Sequence, residues 1–224
     1  IAHDFNNLLT GILSYSDLIL QELRPDDPLR TDVEQIRDAG QRAAGLTRQL
    51  LAFSRRQLLN PRVVSLNLTV TELEPMLRRL LGPEITLETE LEPELGHIVV
   101  DPGQIEQVLV NLMRNAADAL AANPPWTERR LTIITRDLAE EGVVSFRIAD
   151  NGPGVAPEML DRLFKPFVTS KQHGLGMGLS ICRIIVEAHG GTIDVESELG
   201  AGTSFTVRLP RPAGAAACHE IGAA

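Results

Sequence analysis

The chain has 224 residues, 43% of them hydrophobic and 23% charged, which is typical of a globular protein with a sizeable core. Its net charge of -9 and its 4% aromatic content argue against nucleic-acid binding through phosphate contacts or base stacking. Its two cysteines suggest no disulfide framework, and no apolar run reaches the roughly 18 residues of a membrane span. We therefore expect a cytoplasmic protein, with any membrane attachment in segments upstream of Ile1.

Residues 1–58 are predicted to form an antiparallel helical hairpin. One seam of apolar residues has a heptad-like spacing of four and three, and a second stripe runs from Val33 to Phe53. Between them, RPDDP at 24–28 interrupts the helical pattern. Two helices alone bury too little apolar surface, so we expect a homodimer that completes a four-helix bundle. The seam consists of Ile1, Phe5, Leu8, Ile12, Tyr15 and Ile19.

His3 lies on a different face of the first helix from this seam. At about 100° per residue, His3 lies about 200° around the helix from Ile1, on a face that Asn7 shares. An ordinary surface histidine is one interpretation. The other is a nucleophile whose proton is accepted by the neighbouring Asp4.

Strands and helices alternate from residue 59 to 212, and 213–224 read as a flexible tail. Strands are predicted at 85–91, 97–101, 131–138, 143–150, 192–197 and 203–209, and helices at 102–122, 157–164 and 179–189. The predicted fold class is α+β, a helical hairpin followed by an α/β sandwich.

Polar residues interrupt the apolar pattern at two points of this second part. Asn111 and Asn115 share one face of a helix, and amide oxygens are hard ligands that suit Mg²⁺. Asp150 ends a strand in DNGPG, where its carboxylate could accept a hydrogen bond from an exocyclic amine and Gly152 and Gly154 would admit a ligand. The alternative for the two asparagines is a pair of hydrogen-bonded polar groups at a domain surface. The alternative for DNGPG is an ordinary turn.

The stretch HGLGMGL contains Gly174, Gly176 and Gly178 just before a helix. Backbone N–H groups at such a helix start can bind phosphate. The stretch is neither a P-loop nor a dinucleotide fingerprint, since it has no G-K-[ST] and no strand leads directly into it. An acidic domain could still hold a triphosphate through backbone dipoles and one metal.

The motifs HDFNN, NLMRNAADA, DNGPGV, FKPF, HGLGMGLS and GTSFTVRLP, in this order, resemble those of two-component sensor histidine kinases. The resemblance extends from Ile1 to about Pro210. The short segment between Phe167 and Gly174 is similar to the lids of oxygen-, nitrogen- and dicarboxylate-sensing kinases, whereas HDFNN is commoner in hybrid kinases.

The resemblance implies a dimerisation and histidine phosphotransfer hairpin at 1–58 and a Bergerat-type ATP-binding domain at 59–212. His3 would be the phosphoacceptor and Asp4 its base, and Asn7 matches a position that orients water for dephosphorylation in some relatives. Asn111 and Asn115 would hold Mg²⁺. The implied ATP-binding residues are Asn111, Asn115, Asp118, Asp150, Gly152, Gly154, Lys171, Gly174, Leu175, Gly176, Gly178, Leu179 and Thr203.

Two positions depart from the family pattern. Leu8 stands where many members have proline, so the first helix is expected to lack their kink. Asp118 stands where many have a basic residue, so Lys171 becomes the candidate for that phosphate contact.

The expected function is ATP-dependent autophosphorylation of His3 followed by phosphoryl transfer to an aspartate of a response-regulator receiver domain, with dephosphorylation of that regulator as a second activity. The alternatives are an ATP-gated conformational ATPase module of the same sandwich class and a non-catalytic pseudokinase scaffold.

Overall fold

The structure, a computed structural model, describes residues 2–24, 27–54, 60–124, 127–169 and 176–212, without the side chains of 2–7, 41–42 and 44–54. The chain divides into two compact units, Ile1–Leu59 and Asn60–Ala224. The predicted tail at 213–224 lies outside the described residues.

The first unit is a hairpin of two helices, α1 (Ala2–Glu22) and α2 (Leu29–Ser54). Leu9, Ser16 and Leu20 of α1 are buried, and Gly40 of α2 lets the helices approach closely, since a Cβ there would lie 3.1 Å from Leu13 Cδ2. α1 is one continuous helix through Leu8, and the expected absence of a kink there stays a prediction.

The predicted seam of α1 is not the face that meets α2. Leu8, Ile12, Tyr15 and Ile19 are 66%, 45%, 70% and 45% exposed. At 100° per residue they are centred about 90° around the helix from the buried face that contains Leu9. α1 therefore has two neighbouring apolar faces, and α2 covers one of them.

The second unit is an α/β structure with helices packed on one face of a five-stranded sheet, which confirms the predicted fold class. Its sheet has the order β2-β4-β5-β7-β6, with β2 parallel to β4 and the other pairs antiparallel. A separate ribbon pairs β1 with β3. The strands are β1 (Arg62–Val64), β2 (Ile85–Glu90), β3 (Ile98–Val100), β4 (Arg129–Leu138), β5 (Val143–Asp150), β6 (Thr192–Glu198) and β7 (Gly202–Pro210). The helices are α3 (Leu66–Leu81), α4 (Pro102–Ala121), α5 (Pro157–Leu160) and α6 (Gly178–Ala188).

Helix α3 has no counterpart among the predicted elements. Its internal Pro75 argues against a helix on sequence grounds, yet Leu66, Val70, Leu77 and Leu81 are all buried on one side. Ser65 caps its start by accepting from the N–H of Leu68 at 3.4 Å. Burial of one apolar face outweighs the hydrogen bond that proline cannot make.

Helices α4 and α6 pack against each other and cover the sheet. Asp101 caps α4, with Oδ1 accepting from the N–H of Gln104 at 3.3 Å. His189 ends α6: its Nδ1 donates to the carbonyl of Ile185 at 2.8 Å and its Nε2 accepts from the N–H of Asp101 at 3.0 Å. The neutral imidazole thus connects the end of α6 to the start of α4.

Candidate functional site

Asp150 occupies the end of β5, and its carboxylate is held by two backbone donors. The N–H of Gly152 donates to Oδ1 at 2.9 Å, and the N–H of Thr203 on β7 also donates to the carboxylate. Asp150 and Thr203 are directly opposite in the β5–β7 register, so both side chains lie on the same, helix-facing side of the sheet. The carboxylate is therefore positioned before any ligand binds.

Asp150 is only 9% exposed, and this burial raises the pKa of its carboxyl above the ordinary value. The two backbone N–H groups act in the opposite direction by stabilising the ionised form, but burial is the larger cause. A buried acceptor with unused lone pairs can recognise a donor on a ligand, such as an exocyclic amine.

The loop that follows β5 is held tightly against its surroundings. Gly154 has φ +73°, and a Cβ there would fall on the carbonyl oxygen of Glu198, 2.7 Å from its carbonyl carbon. Asn151 anchors the loop to the start of β4, because its Oδ1 accepts from the N–H of Arg130 and its Nδ2 donates to the carbonyl of Glu128, both at 2.8 Å. Gly154 therefore permits a close approach between two backbone segments of this unit, and the role of the glycines toward a ligand stays a prediction.

One face of α4 meets both glycine-rich segments. A Cβ on Gly152 would lie 3.5 Å from that of Ala119, and a Cβ on Gly178 would lie 3.8 Å from Nδ2 of Asn115. One turn earlier, Asn111 hydrogen-bonds to the thiol of Cys182 on α6. The two predicted asparagines therefore lie along the α4–α6 interface, with Asn115 beside the start of α6.

The thiol of Cys182 is fully buried, and burial raises its pKa to about 12. Its Sγ lies 3.9 Å from the carbonyl of Val108, and the Asn111 side chain partly offsets the effect of burial on the thiol pKa. The thiol is therefore protonated at physiological pH and behaves as a packed polar group between the helices.

The start of α6 lies close to residues 167–168. Gly176 has φ +64°, and a Cβ there would lie 2.6 Å from the carbonyl oxygen of Val168. Gly178 is the first residue of α6, and Leu179 packs against the core. Three residues predicted for the ATP site, Lys171, Gly174 and Leu175, lie outside the described residues.

His3, Asp4 and Asn7 lie within the first turns of α1, and their side chains are outside the described part of the structure. Asp118 is on α4 and exposed. Among the described residues, no cluster of three or more His, Cys, Asp or Glu could bind a metal, and no helix is long and apolar enough to cross a membrane.

A helix-covered sheet with a buried carboxylate at a strand end and glycine-rich segments beside it is the arrangement of a nucleotide-binding domain, here following a helical hairpin. Residues 100–213 match the family described as histidine kinase-, DNA gyrase B- and HSP90-like ATPase, and residues 1–58 match the His kinase A (phospho-acceptor) domain. The chain therefore belongs to this ATPase family, and the combination of the two domains is that of a two-component sensor histidine kinase core.

Sensor kinase CckA of Brucella abortus (strain 2308) is 42% identical over 221 residues, which cover 94% of this chain and 23% of CckA. Among solved structures, full-length ShkA in complex with AMPPNP superposes with a TM-score of 0.73 at 27% identity, covering 93% of this chain and 44% of ShkA. Histidine kinase ThkA in complex with response regulator protein TrrA superposes with a TM-score of 0.65 at 26% identity. The match covers 94% of this chain and 60% of the ThkA chain. The chain thus spans less than half of CckA and of ShkA.

Two residues that hold the site in place, Asn151 and Ser197, are not among the predicted site residues. Asn151 belongs to DNGPG, but its role as an anchor depends on β4, which is distant in sequence. Ser197 contributes a hydroxyl beside Thr203, at 2.9 Å between the two oxygens. Its signal in the sequence is a polar residue on the same strand face as Ile193 and Val195.

Proposed function

We propose that this chain autophosphorylates His3 with ATP and then transfers the phosphoryl group to an aspartate of a response-regulator receiver domain. The observation that carries the proposal is the presence, in one chain, of a hairpin that matches a phospho-acceptor domain with His3 in its first helix and a unit with a nucleotide-type site. The match to ThkA, which was solved with a response regulator, supports the partner class.

In the proposed site, Asp150 accepts a hydrogen bond from the exocyclic amine of adenine and Thr203 lies beside the base. The backbone donors from Gly152 and Thr203 hold the carboxylate in a fixed direction, so little reorganisation is needed when ATP binds. Gly154, Gly176 and Gly178 bring backbone close to the ligand. We also assign Gly174, Leu175 and Leu179 to the ATP site, because HGLGMGLS resembles the second glycine box of histidine kinases.

Mg²⁺ fits the donor chemistry at the α4–α6 interface. Amide oxygens from Asn111 and Asn115 could contribute to a Mg²⁺ site that is completed by phosphate oxygens and water, which is how Mg²⁺ is usually held with nucleotides. When bound, Mg²⁺ neutralises charge on the phosphate oxygens. Asp118 carries the wrong charge for a direct phosphate contact, so we assign that contact to Lys171.

At His3, a ring nitrogen attacks the γ-phosphorus, the N–P bond forms, and the bond from the γ-phosphorus to the oxygen of the departing ADP breaks. Asp4 accepts the imidazole proton. In the second step the N–P bond breaks as a carboxylate oxygen of the receiver aspartate forms a bond to phosphorus. Asn7, one turn beyond His3, would orient the water that later hydrolyses this acyl phosphate.

We further propose that two hairpins associate as a homodimer. α1 has two apolar faces about 90° apart, one packed on α2 and one exposed at Leu8, Ile12, Tyr15 and Ile19. A helix in a four-helix bundle needs an apolar face toward each of two neighbours, which a second copy would supply. Since ATP is an intracellular substrate, we place both units in the cytoplasm.

The test is incubation of the chain with γ-labelled ATP and Mg²⁺, beside His3→Gln and Asn115→Ala variants. We expect label on the wild-type chain that survives base and is lost in acid, as phosphohistidine is, and none on either variant. ATP hydrolysis without label on the protein would instead favour a conformational ATPase, and ATP binding without label or hydrolysis would favour a pseudokinase. Loss of phosphatase activity in Asn7→Ala, with autophosphorylation retained, would support the assigned role of Asn7.

A further inference from the structure

A row of three polar side chains crosses the sheet at the proposed adenine end of the site. Asp150 on β5 is opposite Thr203 on β7, and Thr203 is opposite Ser197 on β6. Residues directly opposite in antiparallel strands project to the same side of the sheet. Asp150, which we assign to the base, is therefore two strands away from Ser197, with Thr203 between them.

The hydroxyl of Ser197 has three partners, and they determine where its single proton lies. It accepts from the N–H of Val155 at 2.9 Å, and it lies 2.8 Å from the carbonyl oxygen of Gly202 and 2.9 Å from Thr203 Oγ1. A carbonyl oxygen can only accept, so the Ser197 proton must point to Gly202. All three contacts are satisfied only if Thr203 then donates its own proton to Ser197.

In this arrangement the Thr203 hydroxyl donates its proton to Ser197, so it cannot donate to a ligand. The Thr203 oxygen is then left with lone pairs alone, and the neighbouring Asp150 carboxylate is likewise an acceptor. The backbone around the row is also constrained, because a Cβ on Gly202 would overlap the carbonyl oxygen of Asp150 and lie 3.1 Å from Asn151 Cα. The row therefore presents two acceptors side by side.

We propose that Ser197 is a positioning residue that sets the base selectivity of the site by holding the Thr203 hydroxyl as an acceptor. Two acceptors match a 6-amino purine, whose amine has two N–H donors, and reject a 6-oxo purine, whose oxygen is itself an acceptor. Without Ser197, the Thr203 hydroxyl can rotate and donate to a 6-oxo group. The proposal rests on the assignment of Asp150 and Thr203 to the base.

The test compares equilibrium binding of ATP and inosine triphosphate, which carries a 6-oxo group in place of the amine. Calorimetry with the full chain gives the ratio of the two dissociation constants for wild type, Ser197→Ala and Ser197→Thr. We expect wild type to prefer ATP and Ser197→Ala to lower that preference by about three- to tenfold, the range of one hydrogen bond of ordinary strength. Ser197→Thr, which keeps the hydroxyl, should restore the wild-type ratio.

If Ser197 has only a structural role, Ser197→Ala will weaken the binding of both nucleotides by the same factor. The ratio of dissociation constants would then stay unchanged, which would overturn the inference. Thr203→Val removes the acceptor directly and should also lower the preference, even if Ser197→Ala folds poorly. In the Thr203→Val background, Ser197→Ala should change the ratio no further. A wild type that binds ATP and inosine triphosphate equally would refute the selectivity alone, whereas a wild type that does not bind ATP would refute the proposed function.

Discussion

Replacement of Gly154 by alanine should destabilise the second unit far more than replacement of Gly142. Both glycines have left-handed backbone, at φ +73° and +69°, where a side chain costs about 1–2 kcal/mol. Around Gly142 an added Cβ meets nothing within 4 Å, so only this cost is expected. At Gly154 the Cβ would lie 2.7 Å from the carbonyl carbon of Glu198 and 3.0 Å from Leu199 Cα, which are backbone atoms.

Relief of that overlap requires the loop to move away from the β6–β7 turn. Two hydrogen bonds would then be lost, from the N–H of Val155 to Ser197 Oγ and from the N–H of Gly200 to the carbonyl of Pro153, both at 2.9 Å. At about 1 kcal/mol each, they bring the expected loss for Gly154→Ala to about 3–4 kcal/mol. For a unit of this size, the melting temperature should fall by about 10 °C, against about 4 °C for Gly142→Ala.

The assay is differential scanning calorimetry of the full chain, with the transition of the second unit identified by its upward shift when ATP is added. ATP affinity should fall in Gly154→Ala and remain unchanged in Gly142→Ala. Equal melting temperatures for the two variants would refute the reasoning, since they would mean that the contact with Glu198 does not constrain the loop.

Three further predictions concern other parts of the molecule. In a Cys218→Ser background, the buried Cys182 thiol, whose pKa is raised to about 12, should react with a disulfide reagent at mildly alkaline pH only after unfolding; reaction in the native state would contradict its burial. The preference for ATP over inosine triphosphate needs ionised Asp150, so it should be present above the raised pKa of this carboxyl and decline as the pH falls through it; Asp150→Asn should show no such decline. Tyr15→Glu should weaken dimerisation by roughly a hundredfold in sedimentation experiments, since it would bury an unpaired carboxylate, whereas Ser14→Glu on another face should leave it unchanged.

Local pattern was sufficient to predict the strands and helices whose apolar residues follow one period. The strand predicted at 85–91 is Ile85–Glu90, and the helix predicted at 102–122 is Pro102–Ala121. Helix α3 is not predicted, because Pro75 argues locally against a helix and the burial that stabilises α3 depends on the rest of the unit. The sequence alone does not show whether the free energy gained by burying this face exceeds the cost of Pro75.

The site likewise contains residues that the local sequence predicts and residues whose roles depend on the fold. Asp150 is recognisable because DNGPG follows a strand, and its burial and backbone donors agree with a binding role. The contact between Asn111 and Cys182 joins residues far apart in the chain, and no spacing rule predicts it. The sequence does not predict the role of Ser197 either, since this role depends on strand register and on the direction of a single hydroxyl proton.

The central claim is that ATP bound by the second unit phosphorylates His3. Its most direct test is intact-mass measurement of the full chain during incubation with ATP and Mg²⁺, with ADP measured in parallel. We predict a mass gain of one phosphoryl group per chain, equal in amount to the ADP that forms first. This mass gain should be lost on acid treatment and should be absent in His3→Gln. Continuous ADP formation with no mass gain, or a gain that persists in His3→Gln, would contradict the claim.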